Sequence, residues 1–331
     1  MSARNKTNPN IRVLAGDSFK QMDSGRVREY RLRWSKNPET HESGEFPIHL
    51  DVESTSVCNL KCRFCATAKE KYPPGYMSAE MFRRIIDEGG EKGLCSVKLN
   101  FRGEPLLHSG ITDFIKYAKK KGVIDVFFNT NATMLTEETG RKLIDAGLDR
   151  LIVSFEGYDK KVYESNRIGA DFDRVVSNVR NFVGLKRRMK SAGPVLRLQT
   201  VELADMPGYL EKYRKFWSGY ADEITCIDLR DEGADFSGLE DGKWECPYLW
   251  RRLCITWDGD IYTCPFVNKS PDAYEWPGFG NVKNVSIGSV WSGTAMGDIR
   301  KAHTGGVSHR VEPCKRCSYR GTEITKKHDK T

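Results

Sequence analysis

Seven of the ten cysteines in this 331-residue chain fall into two spaced groups. In STSVCNLKCRFCATA, Cys58, Cys62 and Cys65 stand at the spacing Cys-x3-Cys-x2-Cys. Three thiolates so close along the chain can wrap one cube of iron and sulfide. Such a cube is normally held by four cysteines, so this loop leaves one iron open to an exogenous ligand. Zinc is the competing assignment, and it needs a fourth partner such as His108. Near the C-terminus, Cys246, Cys264, Cys314 and Cys317 form Cys-x12-Gly-x4-Cys around Gly259, followed by Cys-x2-Cys. Four thiolates saturate a cluster, which then conducts electrons or holds structure. A zinc ribbon uses the same four ligands.

Redox compartment decides between clusters and disulfides. The N-terminal stretch MSARNKTNPNIRVLAGDSFKQ has no apolar core followed by a small-residue cleavage site, so no secretory signal is readable and a cytoplasmic location is expected. Cytoplasmic thiols stay reduced, and grouped cysteines there bind metal or do chemistry. No window approaches the roughly 18 uninterrupted apolar residues of a membrane helix, so no membrane partner is expected. The net charge of +8 favours an anionic small-molecule substrate over a nucleic acid, because no basic stripe interleaved with aromatics is present. The run Lys186, Arg187, Arg188 and Lys190 reads as the solvated C-terminal end of a helix.

The elements that must position these cysteines alternate along the chain. Residues 1–45 are polar with weak periodicity and read as an extension. IHLDVEST, SVKLNF, VFFNT, LIVSF, VLRLQTVEL and EITCIDL are six strand candidates, with amphipathic helices between them. Ser78 is an expected N-cap, and Gly122 an expected helix stop. This alternation predicts an α/β fold with a parallel sheet and right-handed crossovers over residues 46–234. Beyond about residue 235 the texture turns to Gly, Pro, Trp and Cys, a small domain (235–320) that needs a metal to hold it. Residues 321–331 read as a polar tail.

The first cysteine group, with Phe64 just before the third cysteine, resembles the signature of the radical S-adenosylmethionine superfamily. The resemblance covers roughly residues 48–230 and implies a partial (β/α)6 TIM-like barrel. It also implies that the cofactor chelates the open iron of a 4Fe–4S cluster and is cleaved reductively to a 5′-deoxyadenosyl radical. Gly103, Glu104 and Pro105 in RGEP resemble the family's GGEP motif, whose Glu binds the methionine ammonium, with Arg102 in place of the first Gly. Asn129 and Asn131 in FNTNAT resemble the TNG segment. Ser154 and Glu156 in VSFEG stand where Ser-x-Asp-Gly is common, and Arg167 is placed like the arginine for the methionine carboxylate. The second cysteine group resembles the auxiliary-cluster domains called twitch and SPASM. No cysteine follows Cys317, which implies one auxiliary cluster in the twitch arrangement of the dehydrogenase acting on 2-deoxy-scyllo-inosamine. An electron donor such as flavodoxin or ferredoxin is the implied partner.

Cys95, Cys226 and Cys254 are left over. A spare cysteine is commonly a small buried hydrophobe, but Cys226 and Cys254 are candidates for returning a hydrogen atom to a substrate radical, and Cys254 alternatively for an auxiliary-cluster ligand. Asp228 and Arg230 share the strand face of Cys226 and are candidates for binding or deprotonating a substrate hydroxyl. The expected activity is radical dehydrogenation or epimerisation of a sugar, cyclitol or nucleotide sugar. Radical modification of a peptide is the alternative, and an electron carrier or zinc-stabilised binding module is the reading from another class.

Overall fold

The computed structural model describes residues 11–17, 22, 24–65, 68, 72–201, 208–228, 236, 238–240, 244–264 and 278–328. Six parallel strands, β2 (His49–Val52), β3 (Ser96–Lys98), β4 (Asp125–Thr130), β5 (Arg150–Ser154), β6 (Val195–Val201) and β7 (Glu223–Ile227), lie side by side in chain order. Between them run α2 (Ala79–Glu91), α3 (Ile111–Lys120), α4 (Glu137–Asp145), α5 (Lys160–Asn166), α6 (Phe172–Arg188) and α7 (Tyr209–Trp217). Side chains of Ser78, Thr136, Asp159 and Asp171 accept a first-turn amide and start α2, α4, α5 and α6.

Right-handed crossovers between strands in sequential order place every helix on one face, so the sheet curls with its other face inward, as a partial TIM-like barrel. Side-chain alternation divides the strands accordingly. Leu50, Val52, Val97, Val126, Phe128, Leu151, Val153, Leu196, Leu198 and Ile224 join the core beneath the helices. The inward face carries the opposite set, among them His49, Asp51, Lys98, Asp125, Arg150, Arg197 and Glu223.

Buried charge on that inward face is paired, as the cost of removing ions from water requires. Arg150 grips Asp125 at 2.6 Å, Arg252 reaches Asp51 at 3.0 Å, and Arg197 bonds Glu223.

Three boundaries differ from those read in the sequence. The polar extension supplies β1 (Ile11–Gly16), antiparallel to β7, and α1 (Gly25–Thr40), whose Asn37 donates to Trp250 O. Its apolar residues are too sparse for periodicity to find it: β1 is held by its pairing with β7, and α1 buries only Val27, Tyr30 and Asn37. The C-terminal segment also joins the sheet: β8 (Arg252–Ile255) lies parallel to β2, and β9 (Ile261–Tyr262) pairs with it, so the order runs β1-β7-β6-β5-β4-β3-β2-β8-β9. Beyond α8 (Ile287–Ser292) and α9 (Thr294–Thr304), the expected tail is helical, since α10 covers Ser318–His328. No described helix is long and apolar enough to cross a membrane.

Candidate active site

The loop carrying Cys58, Cys62 and Cys65 leaves the end of β2 and is tied down on three sides. Glu104 N donates to Val57 O at 2.8 Å, Asn131 Nδ2 to Asn59 Oδ1 at 2.9 Å, and Lys61 N and Arg63 N to Ile168 O and Asn166 O at 3.0 and 3.1 Å. Burial first, opposed by Arg167, pushes the Cys62 thiol up to about 11, with Glu156 and the two other thiols adding to the rise. Thiols near enough to oppose one another's ionisation give up their protons together only against a cationic centre, and an iron–sulfur cluster supplies one. The donor set therefore fits a cluster. Among the described residues no three His, Cys, Asp or Glu side chains converge on one bare metal ion.

Gly103 takes φ +66°, and a Cβ there would stand 2.1 Å from Thr55 O, so the RGEP turn packs directly on the start of the cysteine loop. Glu104 is buried, and its carboxylate accepts from Thr130 Oγ1 and Asn131 N at 2.7 Å each and from Leu106 N at 3.1 Å. Burial raises its pKa against those bonds. The carboxylate is thus fixed where an ammonium could complete its shell.

Arg102, the departure from the family motif, turns instead to Glu53 at the end of β2, bonding both oxygens at 2.5 and 2.7 Å. Glu53 also accepts from Trp257 N at 3.1 Å, so this pair latches the C-terminal segment onto the barrel.

The other expected cofactor contacts divide. Asn129 and Ser154 are half-buried at the ends of β4 and β5. Asn131 is committed to Asn59 and Thr133, which makes it a support of the cysteine loop. Glu156 is ion-paired to Arg167, whose Nη1 lies 3.8 Å from Cys62 Sγ and whose guanidinium stands 5.9 Å from the Phe64 ring.

Cys246, Cys264, Cys314 and Cys317 line one apolar cavity with Trp244, Tyr248, His303 and Tyr319. Burial raises the Cys246 thiol, and Cys264 and Cys317 add to it. Arg320, which the sequence did not single out, anchors the Cys-x2-Cys turn by donating to the carbonyls of Leu239 and Phe236 at 2.5 and 2.6 Å and of Lys315 and Cys314 at 3.0 and 3.2 Å. These four thiols are the ones that could hold an auxiliary cluster.

The two candidate thiols separate. Cys254 is fully buried on β8, directly opposite Asp51 in the β2–β8 register, and its Sγ donates to Asp51 Oδ2 at 3.5 Å on the inward face. It packs with Tyr262, Phe101 and Cys264 but does not line the four-cysteine cavity. Cys226 is also buried, but on β7 it shares the outer face with Ile224, where its register partner is Thr200 and Arg12 Nη2 approaches at 3.6 Å.

The expectation that Cys226 faces the site is therefore corrected: in a strand one residue of register decides the face, and Glu223 and Thr225 take the inward one. Asp228 pairs with Arg12 of β1 at 3.5 Å, away from the barrel interior. Arg230 lies outside the described residues. Cys95 sits at the opposite end of the barrel, where Arg33 approaches its thiol at 3.7 Å. Asp51, Lys98 and Arg252, missed as site residues, surround Cys254; their signal was alternation of charged with apolar residues in strands.

Residues 52–205 match the radical SAM superfamily, and residues 246–318 match SPASM, an iron–sulfur cluster-binding domain. Similar curated proteins include a probable GTP 3′,8-cyclase of Methanococcus maripaludis, 33% identical over 38% of this chain and 42% of that protein. Another, from Sulfolobus acidocaldarius, is 30% identical over 56% of each. The chain spans about half the length of the curated relatives it matches. Among solved structures, BtrN in complex with AdoMet and 2-DOIA superposes with a TM-score of 0.55 at 18% identity over 83% of this chain and 94% of that one. Streptococcus suis SuiB bound to its precursor peptide SuiA gives 0.60 at 17% identity over 88% and 74%. At such identities the likeness is one of fold. A 4Fe–4S cluster, S-adenosylmethionine and auxiliary iron–sulfur chemistry come with these two domains. The chain carries a radical S-adenosylmethionine domain over residues 52–205 and a SPASM-type iron–sulfur domain over residues 246–318.

Proposed function

We propose that this enzyme inverts a carbon centre of a hydroxylated small molecule, a sugar, cyclitol or nucleotide sugar, with Cys254 as the hydrogen donor. Cys58, Cys62 and Cys65 would hold the first cluster, with Glu104 at the methionine ammonium. When bound, cofactor and cluster would supply a 5′-deoxyadenosyl radical able to take a carbon-bound hydrogen from the substrate. Cys254 then gives its S–H hydrogen to the opposite face of the substrate radical: the S–H bond breaks, a C–H bond forms, and a sulfur-centred radical remains on Cys254. One electron from a reduced flavodoxin- or ferredoxin-type donor and one solvent proton restore the thiol.

The observation that carries this reading is the position of Cys254, buried on the inward face and bonded to Asp51. Hydrogen-atom donation needs the thiol and not the thiolate. Burial first, then the Asp51 carboxylate, hold the Cys254 pKa well above the usual thiol range despite Arg252. Asp51 itself stays ionised, because Arg252 and His49 overcome the rise that burial alone would cause.

The names of the curated relatives do not fix the substrate, because this chain spans only about half of their length. Turnover in deuterated water tests the proposal against its neighbours. Inversion places one deuterium at the inverted carbon. A carbonyl product assigns dehydrogenation instead, and 5′-deoxyadenosine formation driven only by GTP or by a peptide removes the hydroxylated-metabolite reading.

A further inference from the structure

The Cys246 backbone N–H donates to His303 Nδ1 at 3.2 Å. A backbone amide can only donate, so Nδ1 is the unprotonated nitrogen, and the proton of the neutral ring sits on Nε2. His303 lies in the last turn of α9, is 1% exposed and forms part of the wall of the four-cysteine cavity. Thr263, directly before Cys264, is also 1% exposed and lines the same cavity. Its hydroxyl has no hydrogen-bond partner among the described residues. An unused buried hydroxyl costs stability unless something in the cavity accepts from it. The rest of that wall is largely aromatic and aliphatic, with Trp244, Tyr248, Leu249 and Tyr319.

We infer that His303 Nε2–H and Thr263 Oγ1–H are hydrogen-bond donors to the sulfur atoms of the auxiliary cluster and set its reduction potential. Reduction adds negative charge to the cluster, and donors to its sulfurs stabilise that charge, so both side chains shift the potential upward. Neither is a ligand, since the four cysteines suffice. Both are tuning residues, and the assignment does not depend on which substrate the enzyme takes.

The test is made on the full chain with Cys58, Cys62 and Cys65 replaced by Ala, so that the auxiliary cluster alone contributes. Its midpoint potential is measured at fixed pH by titration monitored with electron paramagnetic resonance, with iron counted at about four per chain. Thr263→Val, nearly isosteric, and His303→Ala are each expected to move the potential to a more negative value. His303→Gln, which keeps a donor, is expected to recover part of the shift. Potentials unchanged in both Thr263→Val and His303→Ala, with iron retained, overturn the inference. Loss of iron in His303→Ala alone assigns the ring to holding Cys246, and Thr263→Val then decides.

Discussion

Cys254 Sγ and Asp51 Oδ2 lie 3.5 Å apart, on residues that face one another across the parallel β2–β8 pair. One of these strands belongs to the barrel and the other to the segment that carries the second cysteine group. The thiol therefore sits at the seam where that segment joins the barrel.

Replacing Cys254 with Ala is expected to abolish deuterium incorporation into the inverted product while reductive cleavage of S-adenosylmethionine continues. Retention of the label in that variant would refute the assignment of the donor. Mass spectrometry of the product and chromatography of 5′-deoxyadenosine read the two outcomes separately.

The Asp51 carboxylate keeps its neighbour protonated, so inversion in the parent enzyme should stay level as pH rises past about 8.5, the ordinary thiol pKa. In Asp51→Asn the carboxylate's influence is gone, while Arg252 still favours the thiolate. Inversion in that variant should decline on the alkaline side and fall overall by about 100-fold, the usual cost of a displaced reacting group. A pH profile of labelled product, identical in shape for both proteins, would count against the role given to Asp51.

Gly103→Ala places a methyl group 2.1 Å from Thr55 O at a backbone angle that L-residues avoid. The turn must then leave the cysteine loop, and the first cluster should be lost selectively. Iron should drop from about eight to about four per chain, the quota of the auxiliary cluster alone. Cys246→Ala should give the same count with the opposite spectroscopic cluster surviving.

Arg102→Gly restores the residue common in the family but leaves Glu53 buried without its bidentate partner. A destabilisation of about 3–5 kcal/mol is expected, as for other broken buried pairs. Since Glu53 also holds Trp257 N, protection of that amide from hydrogen exchange should fall more than that of β4 or β5.

Asp125 is buried against Arg150, and despite burial, which acts to raise it, Arg150 holds its pKa below the ordinary carboxylate value. Such a group contributes stability above its unfolded pKa of about 3.9 and loses it as pH falls through the lower folded value. Asp125→Asn should cost about 3–5 kcal/mol at neutral pH, with the penalty shrinking in acid because the parent then loses its own carboxylate. Denaturant titrations at several pH values measure the difference.

The sequence alone determined what depends on local spacing. Cysteines grouped within a few residues, a Gly-Glu-Pro turn and strands alternating with amphipathic helices each report a short stretch of backbone, so the superfamily, the barrel and both cluster-bearing segments were legible. The tertiary structure decided what depends on register between distant strands. EITCIDL can place Cys226 on either face, and only the pairing of Glu223 with Arg197 turns the thiol outward. RLCITW reads as part of a separate small domain until β8 lies beside β2 and brings Cys254 to Asp51 across 203 positions of chain. The polar first 45 residues gave no periodic signal, because β1 and α1 are held by sheet hydrogen bonds and a few buried contacts whose partners lie far along the chain. Side-chain type and spacing are properties of the chain, whereas the face a strand residue takes is a property of its neighbours.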